Sequence, residues 1–241
     1  MKKIVLSLIL MVNYSYSQEF TSIYGMKCVL EDKMENKTEG NDLLSVLDTE
    51  SDDVEFNLKY SNNESIFYYP EILRKGNNTV NISIIQAKNI GVYYSNIQSK
   101  TVLHQEFIFN EFFIIKDSIP KNWILTTETK KLGNYVCYKA EYHSVIKKTR
   151  ENGDEYLKPI KSTAWYAPEI PYSTGPLGYG GLPGLILELH DDIFVYYLKE
   201  IDFKPKEKVK IAKPIKGKEV SKMEYSAIYK DLYRKKENSR D

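Results

Sequence analysis

The sequence predicts a mainly β protein: a curved antiparallel sheet or open half-barrel with one C-terminal helix. Three observations carry this. Apolar residues alternate over short runs broken by turn residues, the pattern of half-buried strands joined by hairpins. Tyrosine is abundant, 20 against 9 phenylalanines, and it favours strands and half-buried surfaces where its ring is covered and its hydroxyl wet. Only near the end, from Ser221 to Lys236, do Met223, Ile228 and Leu232 give part of an apolar helical stripe, behind a Ser221/Glu224 capping box.

The elements follow in order. Phe20 to Asp32 reads as a strand in which Gly25 marks a bulge. Glu31 to Asp53 is polar and acidic, with Leu43, Leu44, Val46 and Leu47 as one helical face. Val54 to Tyr60 alternates cleanly, turns at Ser61-Asn62-Asn63-Glu64 and returns through Ser65 to Tyr69. Ile82 to Ile85 and Val92 to Tyr94 read as short strands in an otherwise loop-like stretch. Thr101 to Phe109 and Phe112 to Ile115 flank a turn at Asn110-Glu111. Trp123 to Leu125 is a strand, Thr126 to Gly133 a polar link, and Tyr135 to Tyr142 a central strand. Lys147 to Asp154 is a charged hairpin tip leading to a strand over Ser162 to Tyr166. Leu185 to His190 and Ile193 to Phe203 form another hairpin, and Lys204 to Gly217 is a basic connector.

Between these lies a punctuated loop, Pro168 to Gly184, preceded by Ala164-Trp165-Tyr166-Ala167. Proline fixes φ and glycine opens φ > 0, so such a segment encodes one backbone path. Structurally, Leu182, Leu185 and Ile186 would plug the sheet. Functionally, Trp165, Tyr166, Tyr172, Tyr179 and Leu182 would line an aromatic rim that grips an apolar ligand or a partner chain. An ordered loop of this length is often functional.

The run Gly181-Leu182-Pro183-Gly184-Leu185-Ile186 resembles the signature of the GLPGLI family of exported proteins from Bacteroidetes-type bacteria. The family's early Ser-x-Phe strand is matched by Ser65-Ile66-Phe67, and its Gly-x-Tyr-x-Cys-x-Lys-Ala pattern by Gly133 to Ala140. The resemblance implies export and assigns no activity. By analogy of pattern, the chain is also similar to LolA-type periplasmic carriers, whose half-barrel has an apolar lining.

Residues 1–17 read as a signal peptide: Lys2 and Lys3, a short apolar run from Ile4 to Val12, then Ser15-Tyr16-Ser17. The apolar run is too short to span a bilayer. No cysteine follows the cut, which disfavours a lipid anchor. The expectation is a periplasmic or secreted single domain over 18–241, with no transmembrane segment in the mature chain. An oxidising compartment permits a Cys28–Cys137 disulfide; the alternative for Cys137 is a small buried hydrophobe on a strand. The charge balance, 34 basic against 33 acidic residues, gives no argument for nucleic acid.

Candidate chemistry is sparse. His104, His143 and His190 show no paired metal-ligand spacing. Glu188 and His190 are i, i+2 on a strand, share a face, and with Asp191 and Asp192 could serve a metal-assisted hydrolase. Ser173 lacks a nucleophile elbow. Gly178-Tyr179-Gly180-Gly181 lacks the Lys-Ser/Thr of a phosphate loop, and no cofactor motif is found. The sequence therefore reads as a non-enzymatic envelope binding or assembly protein with an apolar, aromatic cleft. The alternatives are the Glu188/His190 hydrolase and a secreted module that docks by a sheet edge.

Overall fold

The computed structural model describes residues 19–29, 54–70, 82–120, 122–149 and 155–238. The helical face expected at Leu43 to Leu47 and the signal peptide lie outside them. The strands are β1 (Glu19–Cys28), β2 (Glu55–Ser61), β3 (Glu64–Tyr68), β4 (Val92–Asn96), β5 (Thr101–Ile108), β6 (Glu111–Ser118), β7 (Trp123–Leu132), β8 (Tyr135–Thr149), β9 (Glu155–Ala167), β10 (Leu185–Asp191), β11 (Phe194–Asp202) and β12 (Lys218–Ser221). Among the described residues two α-helices join them, α1 (Ile82–Asn89) and α2 (Lys222–Asn238). All twelve strands belong to one sheet, ordered β12-β6-β5-β4-β3-β2-β1-β11-β10-β9-β8-β7. Neighbours are antiparallel except β12, which lies parallel on β6. The expected mainly β fold with a C-terminal helix is what forms.

The sheet is curved, and its inward positions make the main core. Phe20, Tyr24 and Met26 of β1 alternate with Phe56 and Leu58 of β2, Phe67 of β3 and Tyr196 of β11, all buried. Phe56 stacks on Phe67 at 5.0 Å, and Tyr196 meets both rings edge-on. The punctuated loop lies in the trough between the two halves of the sheet. Ile170, Leu182, Leu185 and Ile186 join this core. Tyr24 Oη donates to Ile186 O at 2.7 Å, and Trp123 Nε1 of β7 donates to Gly180 O at 2.8 Å. The Ser65 and Thr174 hydroxyls share a 2.9 Å bond. Strands from both halves thus bond the same loop.

The edges are treated differently. Beyond β11 the basic connector crosses the convex face. Ile211 packs on Tyr94, Leu103 and Ile114, and Glu19 accepts the Val209 amide at 3.0 Å. Then β12 covers the edge of β6. The Ser221 and Glu224 side chains cap each other's backbone amides at 3.2 and 2.8 Å, starting α2 with the expected capping box. Tyr225, Ile228 and Leu232 of α2 pack on Phe113, Ile115 and Val220. At the other edge, β7 carries Glu128, Lys130 and Lys131 and a register shift between Leu125 and Thr129, features that discourage strand addition.

Several sequence expectations are corrected. Ile82 to Ile85 is helix, because Ser83 and Ala87, one turn apart, are the small residues buried against the sheet; a short apolar run does not separate helix from strand. The polar link after Leu125 is strand, held by pairing of Thr129 to Leu132 with β8. The residues of the charged hairpin tip from Lys147 to Thr149 also pair, with Leu157 to Glu155. The turn between β5 and β6 is Phe109-Asn110, one residue earlier than expected. The irregularity in β1 falls between Ile23 and Tyr24, beside Gly25. Cys28 and Cys137 are not bridged to one another: β11, β10 and β9 separate β1 from β8. Four strand steps of about 4.8 Å exceed disulfide reach.

Gly184 tests the loop's seat. A β-carbon there would lie 2.2 Å from Ala167 O, a backbone atom. Gly184→Ala is expected to lower stability by about 2 kcal/mol or more, read as a shift in the urea midpoint. An unchanged midpoint would show that the loop tolerates displacement from the sheet.

Candidate functional site: an open cleft at one end of the trough

The loop fills one end of the trough and leaves the other open as a cleft of about 700 Å³. One wall is Tyr93 of β4 with Val102, His104 and Glu106 of β5. The other is Tyr142 and Ser144 of β8 with Ile160 of β9. Leu177, Gly178 and Tyr179 of the loop also line it, and Lys222 and Tyr225 of α2 reach it. Strand alternation sets these faces: Val102, His104 and Glu106 are i, i+2, i+4 on one strand.

The polar groups are organised. Asp191 Oδ1 accepts from the Ser162 hydroxyl at 2.6 Å and the Tyr179 hydroxyl at 2.9 Å. Burial, with Asp191 beside it, raises the Tyr179 phenol far above its ordinary value, so it remains a donor. The His104 ring stacks on Tyr93 with centroids 4.0 Å apart. His104 Nε2 lies 2.8 Å from Ile90 O, just beyond α1. A carbonyl only accepts, so Nε2 carries the proton and Nδ1 is left as acceptor. Burial pulls the imidazole down to about 4, against the raising effect of the Ile90 bond. Burial pushes the Glu106 carboxyl up to about 7. Lys222 pairs with Asp117 at 3.1 Å across the rim. The cleft thus offers carboxyl oxygens, a neutral imidazole and tyrosine ring faces.

Of the residues expected to form an aromatic rim, only Tyr179 lines this cleft. Leu182 is core. Tyr172 packs on Phe20 and Tyr60 at 5.0 and 4.8 Å. Tyr166 is mostly buried beside a separate recess of about 250 Å³, with Tyr138 and Glu169. Trp165 lies on the opposite face from Tyr166, under the Lys130 ammonium at 4.4 Å. The motif residues Gly181, Pro183 and Gly184 shape the loop: Gly181 has φ +82°, and its N–H donates to Ser173 Oγ at 2.9 Å. The expected apolar cleft is therefore a mixed one, because inward positions of β5 and the end of β10 are polar.

Glu188 and His190 do meet, as their shared face requires. His190 Nε2 donates to Glu188 Oε1, and Lys130 Nζ reaches the same oxygen at 2.7 Å. Burial alone would raise the Glu188 carboxyl, but the His190 and Lys130 bonds hold it near 2. Charge is balanced there, and the His190 nitrogen facing Glu188 is engaged as a donor. Among the described residues no three His, Cys, Asp or Glu side chains form a metal-ligand set. Cys137 is buried and its thiol pushed up to about 11, which suits a packing role.

Sequence reasoning missed Tyr93, His104, Glu106, Tyr142 and Ser162 as a group. The available signal was the polar His104 and Glu106 sharing a face with Val102 on a strand otherwise rich in apolar residues.

A model of a family described as "Protein of unknown function (Porph_ging)" matches residues 123–188, which hold β7 to β9, the loop and most of β10. No curated protein matches the chain. Two crystal forms of PNGF-II are similar in structure, each with 16% identity and a TM-score of 0.49 over 89% of this chain. The chain spans about a third of the PNGF-II chain, 33% and 32% in the two forms.

The two titrations oppose one another. The raised Glu106 value contributes stability that is complete below its unfolded value of 4.5 and is lost as pH rises through about 7. The lowered His104 value contributes stability that is complete above 6.5 and is lost as pH falls through about 4. Glu106→Gln is expected to gain on the native chain by on the order of 3 kcal/mol between pH 4.5 and pH 8, measured by urea unfolding. A pH-independent difference would place Glu106 in water.

Proposed function

We propose that the protein is an exported binding protein of the cell envelope, of GLPGLI type, whose ligand seat is the open end of the trough. The observation that carries this reading is the cleft of about 700 Å³ between β4–β5 and β8–β9. Volume of this order suits a small-molecule site. The matched family model, with no function attached, covers one wall and the loop.

The lining favours a small polar molecule with a flat apolar face. Tyrosine rings cover such a face, and the oxygens of Asp191 and Glu106 accept from its hydroxyl or amine groups. Removal of the segment 1–17 delivers one domain, 18–241, to the periplasm or the medium. The role is binding rather than catalysis. The polar groups that meet most closely, Ser162, Tyr179 and Asp191, are directed at one another, as in a rigid wall.

Native mass spectrometry of the chain purified from its own periplasm tests this. The protein mass should begin at Gln18 and carry a small organic molecule lost on denaturation. Ser144→Trp, which fills the cleft from β8, should abolish that extra mass while leaving the circular dichroism unchanged. A bare native chain, or an adduct that survives Ser144→Trp, would refute the seat. A bound metal ion in place of an organic molecule would favour the Glu188/His190 hydrolase.

A further inference from the structure

The turn between β5 and β6 ends in a surface that the cleft does not use. Its two central residues, Phe109 and Asn110, have φ of 49° and 63°. A two-residue hairpin turn of this hand favours asparagine and glycine, and a bulky ring in the left-handed region is strained. The chain nevertheless holds a phenylalanine there. Strain of this kind points to use.

The surroundings of Phe109 are aromatic and exposed. Phe107 is 55% exposed, Tyr233 47% and Tyr229 40%. Phe109 and Tyr229 lie 5.8 Å apart, and Tyr229 stacks on Tyr233 at 6.3 Å. Between the turn and α2 lies an open hollow of about 670 Å³. The rings carry cations. Lys236 Nζ sits 5.6 Å above Phe109, and Lys216 Nζ 3.8 Å above Phe112. From Lys204 to Asn238 the chain has twelve Lys and Arg against five Asp and Glu, although the whole sequence is balanced at 34 against 33. The positive excess is therefore local to the connector and α2.

Exposed rings beside lysines suit one environment well. The rings enter the boundary between headgroups and acyl chains, while ammonium groups on flexible stems pair with phosphates. A local positive excess adds attraction to anionic headgroups, which falls away with salt. We propose that the β5–β6 turn and the end of α2 dock the protein on an anionic phospholipid surface. Docking is peripheral: among the described residues no helix is long and apolar enough to cross a membrane.

Co-sedimentation of the mature chain with vesicles tests this. Vesicles of phosphatidylcholine with roughly a third phosphatidylglycerol should bind the chain, and phosphatidylcholine alone about ten-fold more weakly. High salt should release it. Phe109→Gly removes the ring and relaxes the turn, so it should weaken anionic-vesicle binding about ten-fold while the melting temperature stays level or rises. Tyr233→Ser should weaken binding in the same direction. Equal binding to both vesicle types, no binding to either, or undiminished binding by Phe109→Gly would overturn the proposal. A solution dimer that Phe109→Gly dissociates would also overturn it, making a second copy the occupant.

Discussion

The loop from Pro168 to Gly184 and the first residues of β10 behind it lie along the concave face of an open sheet, and much of the fold depends on how this segment is held there. A sheet that curves without closing leaves inward apolar rows facing a space that must be filled. A loop can fill it only if its backbone polar groups find partners. Here Ile186 O takes the Tyr24 hydroxyl and Gly180 O takes the Trp123 indole. The Leu185 and Ile186 amides at the start of β10 donate to Ile170 O and Thr174 O of the loop. Side chains from β1, β3 and β7 therefore converge on one segment, and sheet curvature and loop path specify each other. The glycines serve close approach: at Gly184 the neighbouring backbone leaves no room for a β-carbon.

The cleft is a consequence of where that filling stops. Past Leu177 and Tyr179 no apolar side chain of the loop continues, and the inward positions of β5 become His104 and Glu106. Burial then keeps the imidazole neutral, with the Lys222 ammonium acting in the same direction, and raises the carboxyl. On the opposite wall, Asp191 is met by two hydroxyls. Along α2, Lys222 and Tyr225 border the cleft, and Tyr229, Tyr233 and Lys236 border the β5–β6 turn. One helix thus joins a candidate ligand seat to a candidate membrane face.

The fold class was legible because its signals are local. Alternation marked β2, turn residues marked the β2–β3 hairpin, and Ser221 with Glu224 marked the start of α2. Boundaries failed where tertiary pairing overrode composition, as in the polar run after Leu125, which β8 draws into a strand. β12 was invisible because the four residues between the basic connector and α2 become a strand only by lying on β6. The site was less legible. Tyr172 was singled out as an exposed grip because it stands in a glycine-proline loop, yet that loop turns inward and it packs against the core; Leu182, read both as a plug and as part of the rim, is buried as the plug. His104 was weighed as a ligand and set aside for want of paired spacing, and Glu106 was read only as a strand residue. Their meaning comes from a wall on β8 and β9, far along the chain, and no local pattern encodes which face of β5 looks across the trough.

Hydrogen exchange on the native chain measures the central constraint most directly. Under native conditions, the Leu185 and Ile186 amides and the Trp123 indole should exchange as slowly as the amides of β1 and β11, through one shared opening. Fast exchange of those two amides, whose acceptors are loop carbonyls, and of the indole while β1 and β11 stay protected would contradict this constraint. The loop would then be a lid on a sheet that is stable without it, rather than the segment on which the two halves of that sheet are built.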